Sequence, residues 1–486
     1  MSHRLVWRIA LIFIGFTVLV TMAGCSMTTP LGDDSSDDTG DIETDTPKEG
    51  GETATDSGPT GTDSAGGESE SASESTDNST SETANEPGSN GAADQSTTTG
   101  PINDTGLPID ENGIYNLTRN LVGSDADPPA ITIEELSYRA GQTDRPFFDY
   151  MGLTNESEEG SSGLLPAAVA SGPDSVVVNE MVFDRHYGEH TDRSALLLAH
   201  EFAHTIQMEE GWLESTRTAV AGTVGLSTTE SALLYRSLVE GGAVFTADEY
   251  ADRTERNRSQ MVRFEQQYGD VPAELVYAYG PYHHGGQYFR SVLDSAEELD
   301  SVYTDDIPAS TEELLHPGYN DTEHSDVTFS AQSSRDDWTR QIAGDDQLGA
   351  MFVHVVLTAH TELDAAAEAS KGWANDQVFK FENESRSAFT WVTHWDSAAD
   401  ADQFAEAFNR TLPNRSDDDV GDVEVARAGN HSVVVLAGPE EFRDAIAIDG
   451  ENADVDTILQ SGAKDSVESM VPVLVDTNVN LATGRG

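Results

Sequence analysis

The chain has 486 residues, 88 of them acidic against 26 basic, and a formal net charge of −62. A field this negative repels phosphate backbones and excludes nucleic acid as a partner. The single cysteine, Cys25, lies near the N-terminus, so neither an intramolecular disulfide nor thiol catalysis is open to the folded part.

Residues 1–25 are the only strongly apolar run: Arg4 and Arg8 form a positive end, Ile9 to Val20 an apolar core, and Met22-Ala23-Gly24-Cys25 closes the segment. That order predicts a secretory signal peptide over 1–24, with a core too short for a comfortable membrane span of about 20 residues. The closing tetrapeptide resembles a lipobox, which implies a lipid anchor on Cys25 and the extracellular face of the cell membrane as the location. Ten Asn-x-Ser/Thr sequons, from Asn78 to Asn430, are compatible with an exported glycoprotein.

Residues 25–105 are dominated by Ser, Thr, Gly, Asp and Glu, and Lys48 is their only basic residue. Such a segment cannot bury enough apolar area to offset its ordering entropy, so a disordered acidic stalk is expected there. The folded part is expected from residue 106, as a catalytic region over 106–335 and a C-terminal α+β region over 336–486. Only four lysines occur in the whole chain. An acid excess with so little lysine is like that of proteins from salt-loving archaea, and predicts folding that needs molar salt.

In chain order, strands are predicted at Ala130–Ile133 and Ser175–Val178, with Met181–Asp184 a third. Leu198, Phe202 and Ile206 recur at spacing four and predict a helix over Ser194–Met208, capped by Thr191 or Asp192. A second helix is predicted over Thr228–Tyr250 and a third over Gln347–Glu368. A Gly-rich stretch, Tyr279 to Phe289, is expected to precede a helix. Towards the C-terminus the pattern gives a strand at Ala388–Trp395, a helix at Ala398–Thr411, strands at Val423–Ala426 and His431–Leu436, and a helix at Pro439–Ile446. The fold class is α+β.

The chemistry is carried by His200-Glu201-Phe202-Ala203-His204. On a helix, residues i and i+4 share one face, so both histidines can bind one Zn²⁺ while Glu201 leans towards its open position. A zinc ion lowers the pKa of its bound water towards roughly 7, and Glu201 can take the proton. A catalytic zinc needs a third protein ligand. Glu240, in Ser237-Leu238-Val239-Glu240-Gly241-Gly242-Ala243, is the best candidate: a carboxylate isolated on an apolar helix is expensive unless paired or metal-bound. The other reading is a salt bridge to Arg236 or another arginine. Gly241 and Gly242 allow close helix–helix approach. Asp248 or Glu249 could support a ligand histidine.

His-Glu-x-x-His followed by a helix bearing Glu-x-x-Ala resembles the gluzincin branch of zinc metallopeptidases. Pro308-Ala309-Ser310-Thr311-Glu312-Glu313-Leu314-Leu315-His316-Pro317, then Gly372-Trp373-Ala374-Asn375-Asp376 and Trp395-Asp396-Ser397, resemble segments of zincin-like surface lipoproteins of haloarchaea. The resemblance covers about Ile131 to Ala447. It implies a zincin-like fold with a helical active-site half and a C-terminal α+β part, with His200, His204 and Glu240 as zinc ligands and Glu201 as general base. Such enzymes need a donor for the developing oxyanion, for which Tyr279, Tyr282, His283 and His284 are candidates; the alternative is aromatic packing on the core. Acid runs such as Asp417-Asp418-Asp419 read as solvated surface.

The leading expectation is therefore a membrane-anchored extracellular zinc peptidase acting on a peptide or protein. The alternatives are a non-catalytic surface lipoprotein that keeps the fold for binding or adhesion, and a solute-binding lipoprotein.

Overall fold

The structure, a computed structural model, describes residue 102 and residues 105–136, 146–154, 165–186, 190–225, 227–318, 327–412, 423–450 and 454–460. The signal segment, Cys25, nearly all of the expected stalk, the sequons at Asn78, Asn103, Asn155, Asn320 and Asn414, and the 417–419 acid run lie outside them. The described residues belong to one compact unit and mix helix and strand, as expected for an α+β chain.

Helix α1 (Glu111–Val122) starts where the Asp110 carboxylate accepts from the Gly113 N–H and stops at Gly123, whose φ of 72° is left-handed. A three-stranded sheet follows, of β1 (Ala130–Glu134), β2 (Ala168–Gly172) and β3 (Ser175–Asn179), with β3 in the middle. β1 runs parallel to β3 and β2 antiparallel to it, with an irregular register between Ala170 and Gly172. The short helix α2 (Pro146–Tyr150) lies between β1 and β2 in the chain. The third strand predicted at Met181–Asp184 is instead part of helix α3 (Glu180–His186). A run of only three apolar residues, Met181 to Phe183, has no periodicity that separates strand from helix. Here Asn179 ends the sheet: its side-chain amide donates to Pro166 O at 2.9 Å and Leu136 O at 3.2 Å.

The helical half comprises α4 (Thr191–Glu209), α5 (Trp212–Thr223), α6 (Thr229–Arg253), α7 (Gln260–Tyr268), α8 (Ala273–Val292), α9 (Leu299–Thr304) and α10 (Thr311–Leu315). α4 packs on β2, α1 and α6, and α6 packs along α8. Thr228 caps α6 through a reciprocal pair of bonds with Ser231. The expected cap of α4 is not made: its N-cap is His190, without a side-chain bond, and Asp192 pairs with Arg256, three residues past the end of α6.

The Gly-rich stretch Tyr279–Phe289 is the interior of α8, with Pro281 inside it, and does not precede a helix. Its glycines cost helix propensity, which interhelical contact offsets. A Cβ on Gly285 would collide with the Ser237 carbonyl, one on Gly241 with the Gly285 backbone, and one on Gly286 with Met261 and Val244. Paired glycines on both helices thus let α6 and α8 touch backbone to backbone.

The long helix predicted over Gln347–Glu368 is two, α11 (Gly349–Thr358) and α12 (Leu363–Ser370). Residues 347 and 348 stay outside because Leu348 and Gly349 donate their N–H groups to the Asp376 carboxylate at 2.8 and 3.1 Å, and Gly349 takes a φ of 87°. His360, in the break, reaches Met151 O at 3.1 Å. All ten residues of α11 are buried, between α6 and α8 on one side and the C-terminal sheet on the other.

That sheet is fully antiparallel, in the order β5 (Thr339–Asp346), β6 (Trp373–Glu382), β7 (Ser387–Trp395), β9 (Ser432–Ala437), β8 (Val423–Ala428). Alternation along β9 serves two cores: Val433, Val435 and Ala437 join the main one, which includes α13 (Ala398–Thr411). Val434 and Leu436 join a smaller core with Trp338, Phe381, Phe442 and Ile446. A second small sheet, β10 (Ile446–Asp449), β11 (Asp454–Leu459) and β4 (Thr328–Ser333), contributes to this smaller core. The helix expected over Pro439–Ile446 is only α14 (Glu440–Arg443), since Ile446 already pairs with Leu459.

Candidate metal centre

Helices α4 and α6 cross so that His200, His204 and Glu240 meet. The His200 and His204 Nε2 atoms lie 3.1 Å apart, and Glu240 Oε2 stands 3.4 Å from the first and 3.3 Å from the second. A tetrahedral ion with bonds of about 2.0–2.1 Å places its ligand atoms about 3.3–3.4 Å apart, so this triangle has the right size for one ion. Among the described residues it is the one group of three or more such side chains able to hold a metal. Glu240 faces the histidines, as expected of a ligand.

The surroundings decide which nitrogens face the centre. His204 Nδ1 is 2.8 Å from Gln207 Oε1, and His200 Nδ1 is 3.0 Å from Gln260 Oε1. Each amide is oriented by its other end. Gln207 Nε2 donates to Val239 O at 2.9 Å, and Gln260 Nε2 to Leu196 O at 3.2 Å. Both histidines therefore donate from Nδ1 and turn an Nε2 lone pair inwards, towards a carboxylate. Two lone pairs and an anion converging in a buried space need a cation between them. A proton can serve in its place. Burial opposes ionisation of Glu240, but where protons sit on the histidine Nε2 atoms, their hydrogen bonds and charge prevail and hold it down to about 2. Burial likewise lowers His200, while the Glu240 bond and charge outweigh burial at His204 and raise it.

Glu201 sits one residue beyond His200, and its Oε2 accepts the Ala170 N–H at 2.9 Å. The edge strand β2 thus fixes the carboxylate expected to act as base. His200, Glu201 and His204 are 0 % exposed and Glu240 2 %, so the centre is sealed from solvent in this conformation.

Of the four oxyanion candidates, only Tyr282 is brought to the centre: its ring stacks on His200 at 6.1 Å and on Phe264 at 5.0 Å. Tyr279 packs edge-on against Phe264. His283 and His284 belong to another group. His283 stacks on Tyr268 at 4.5 Å, and His284 lies edge-on to His354 at 4.5 Å. Burial pushes His283 down to about 4 and His284 well below the usual imidazole range. Asp248, one of the two supporting carboxylates considered, accepts from Gln260 N at 2.6 Å and so stands behind His200 through Gln260, whereas Glu249 is half-buried.

Gln207 and Gln260 were missed from the sequence. Gln207 carried a signal, three residues after His204 on the same face, but Gln260 is 60 residues from its partner in the chain. The other segments of the resemblance meet at a joint away from the centre. Ser310 caps α10, Glu312 accepts from Gly372 N at 2.8 Å, and Asp376 accepts from the indoles of Trp391 and Trp373 at 3.2 and 3.4 Å. Thr311 N and Oγ1 donate to Glu230, at the start of α6, at 2.7 and 2.6 Å.

A family model described as a domain of unknown function (DUF8575) matches residues 339–470. This stretch holds the five-stranded sheet and α11 to α14, and leaves out every residue of the centre. No curated protein and no solved structure matches the chain. No helix among the described residues is long and apolar enough to cross a membrane.

Proposed function

We propose that this chain is a zincin-like, zinc-dependent peptidase held on the outer face of the cell membrane through a lipid on Cys25. The observation that carries this reading is the His200–His204–Glu240 triangle together with Glu201, next to His200 on the same helix, whose buried carboxylate is held by the Ala170 N–H. A scaffold that only stores an ion needs the three ligands and no second carboxylate. When bound, zinc supplies a Lewis acid and a water of lowered pKa. His200 and His204 would hold it through Nε2 and Glu240 through its carboxylate. Glu201 would accept the proton of the attacking water and return it to the leaving amine, and β2 would keep its carboxylate in place for both transfers. Two histidines and one carboxylate suit zinc, which takes nitrogen and oxygen donors in a tetrahedral set.

Complete burial of the four residues favours a second reading, a surface lipoprotein whose ion holds α4 to α6 without catalysis. Elemental mass spectrometry on the purified protein in high salt tests the shared premise: one zinc per chain is expected. A peptide-library digest with the parent and Glu201→Gln then separates the readings. Cleavage by the parent that disappears in a variant still holding zinc supports the peptidase. Absence of cleavage by a zinc-loaded parent supports the scaffold.

A further inference from the structure

Both routes that orient the histidines start on α6, the helix that bears Glu240. At one end, Gln207 touches His204 with its oxygen, while its nitrogen donates to Val239 O, the carbonyl just before Glu240, and contacts Tyr303 Oη at 2.7 Å. Tyr303 in turn donates to Leu238 O at 3.0 Å, and a Cβ on Gly242 would collide with its hydroxyl. At the other end, two turns beyond Glu240, the Asp248 carboxylate gathers the first turn of α7. It accepts from Ser259 Oγ at 2.5 Å, Gln260 N at 2.6 Å and Met261 N at 3.2 Å, with Arg290 beside it at 3.1 Å. The Gln260 side chain leaves that turn, donates to Leu196 O and receives His200 Nδ1. Gln207, Gln260 and Asp248 are buried, and a buried amide whose two ends are both engaged has one orientation to adopt.

We infer that Gln207 and Gln260 are positioning residues for the ion, holding His204 and His200 with Nε2 aimed at Glu240, and that Asp248 acts on the centre through Gln260. The inference rests on the proposed zinc centre. Partners that orient metal-ligating histidines typically change affinity by about 10- to 100-fold when removed. Methionine has nearly the length and volume of glutamine and accepts no strong hydrogen bond, so Gln260→Met and Gln207→Met remove the acceptor with little change of packing. Glutamate restores an oxygen at the same reach but not the amide donor.

The test is zinc affinity by chelator competition on the full protein, with the visible spectrum of the cobalt-substituted form and the melting temperature of the metal-free form read alongside. Gln260→Met and Gln207→Met should each bind zinc about 10- to 100-fold more weakly and shift the cobalt bands. Gln260→Glu, which keeps the acceptor oxygen for His200 but loses the donor to Leu196 O, should lose less than Gln260→Met, and Asp248→Asn should also lose less than Gln260→Met. Parental affinity and an unchanged cobalt spectrum in both methionine variants would overturn the inference, as would an equal loss in Gln260→Met and Gln260→Glu. Should one methionine variant not fold, the other decides together with Asp248→Asn: parental zinc affinity and an unchanged cobalt spectrum in both would overturn the inference. A parent that takes up neither zinc nor cobalt would overturn the centre itself, an outcome distinct from parental binding with indifferent variants.

Discussion

Two groups of buried histidines lie on either side of the α6–α8 contact, and they are built differently. His200 and His204 turn their Nε2 atoms towards one carboxylate, and each is held from behind by an amide oxygen. His283, His284 and His354 have no carboxylate among them and pack as rings around Tyr268, with burial holding all three below the usual imidazole range. Among the described residues their nitrogens do not gather as the first group's do. The difference teaches that density of histidine does not make a ligand set. Convergence of lone pairs, a negative partner and a fixed tautomer do.

The comparison breaks most sharply on metal content. His204→Ala should lose zinc by more than the hundredfold that outer partners reach, while His284→Phe should keep one zinc per chain in the same elemental analysis. Zinc lost equally from both variants would erase the distinction between the groups. A smaller effect is expected at the contact between them. Gly285→Ala presses a methyl on the Ser237 carbonyl and should cost about 1–3 kcal/mol in denaturant unfolding, with weakened zinc binding as α8 moves Tyr282 off His200. Parental stability in that variant would mean that the helices have room to part.

The smallest effect is on pH. His283, His316 and His354 are held at about 4, 4 and 3 by burial, against an ordinary 6.5. Between about pH 4 and 6.5 the unfolded chain binds protons that the folded chain refuses, so stability falls as pH drops through that window. The groups facing His316 include Lys371 and Glu368, which act in opposite directions. Burial has the opposite consequence at the joint beneath α6, where it pushes Glu230 and Glu312 up to about 8 and Asp376 to about 7. There the folded chain holds protons that the unfolded chain has lost from about pH 4.5 upwards, so stability falls as pH rises towards 8. The melting temperature at constant salt should therefore peak between the two limbs, and Glu230→Gln should flatten the alkaline one. The same shift from Glu230→Gln at pH 5 and at pH 8.5 would sink this account.

Much of the centre was legible in the sequence because it depends on one helix and one isolated carboxylate. Spacing four on an apolar helix fixes His200 and His204 relative to each other, and an acid alone among Leu238, Val239 and Ala243 asks for a partner. Gln260 and the Ala170 N–H were not legible, since each depends on an element reached only through tertiary packing. The Tyr279–Phe289 stretch misled for a physical reason. Glycine and proline there look like loop residues when read alone, whereas the glycines are spent on contact with α6. The Pro308–Pro317 and Gly372–Asp376 segments extended the resemblance, and in the fold they hold α10, α11 and β6 together.

The sealed crossing also bears on timing. An ion at the α4–α6 crossing would be enclosed, because every ligand is buried and the glycine contact brings α6 and α8 together backbone to backbone. Loading would then accompany chain collapse or wait for a breathing motion of the helices. Once in, the ion would leave at the pace of that motion, indifferent to how much scavenger waits outside. Such a kinetic trap would protect the metal better than equilibrium affinity alone.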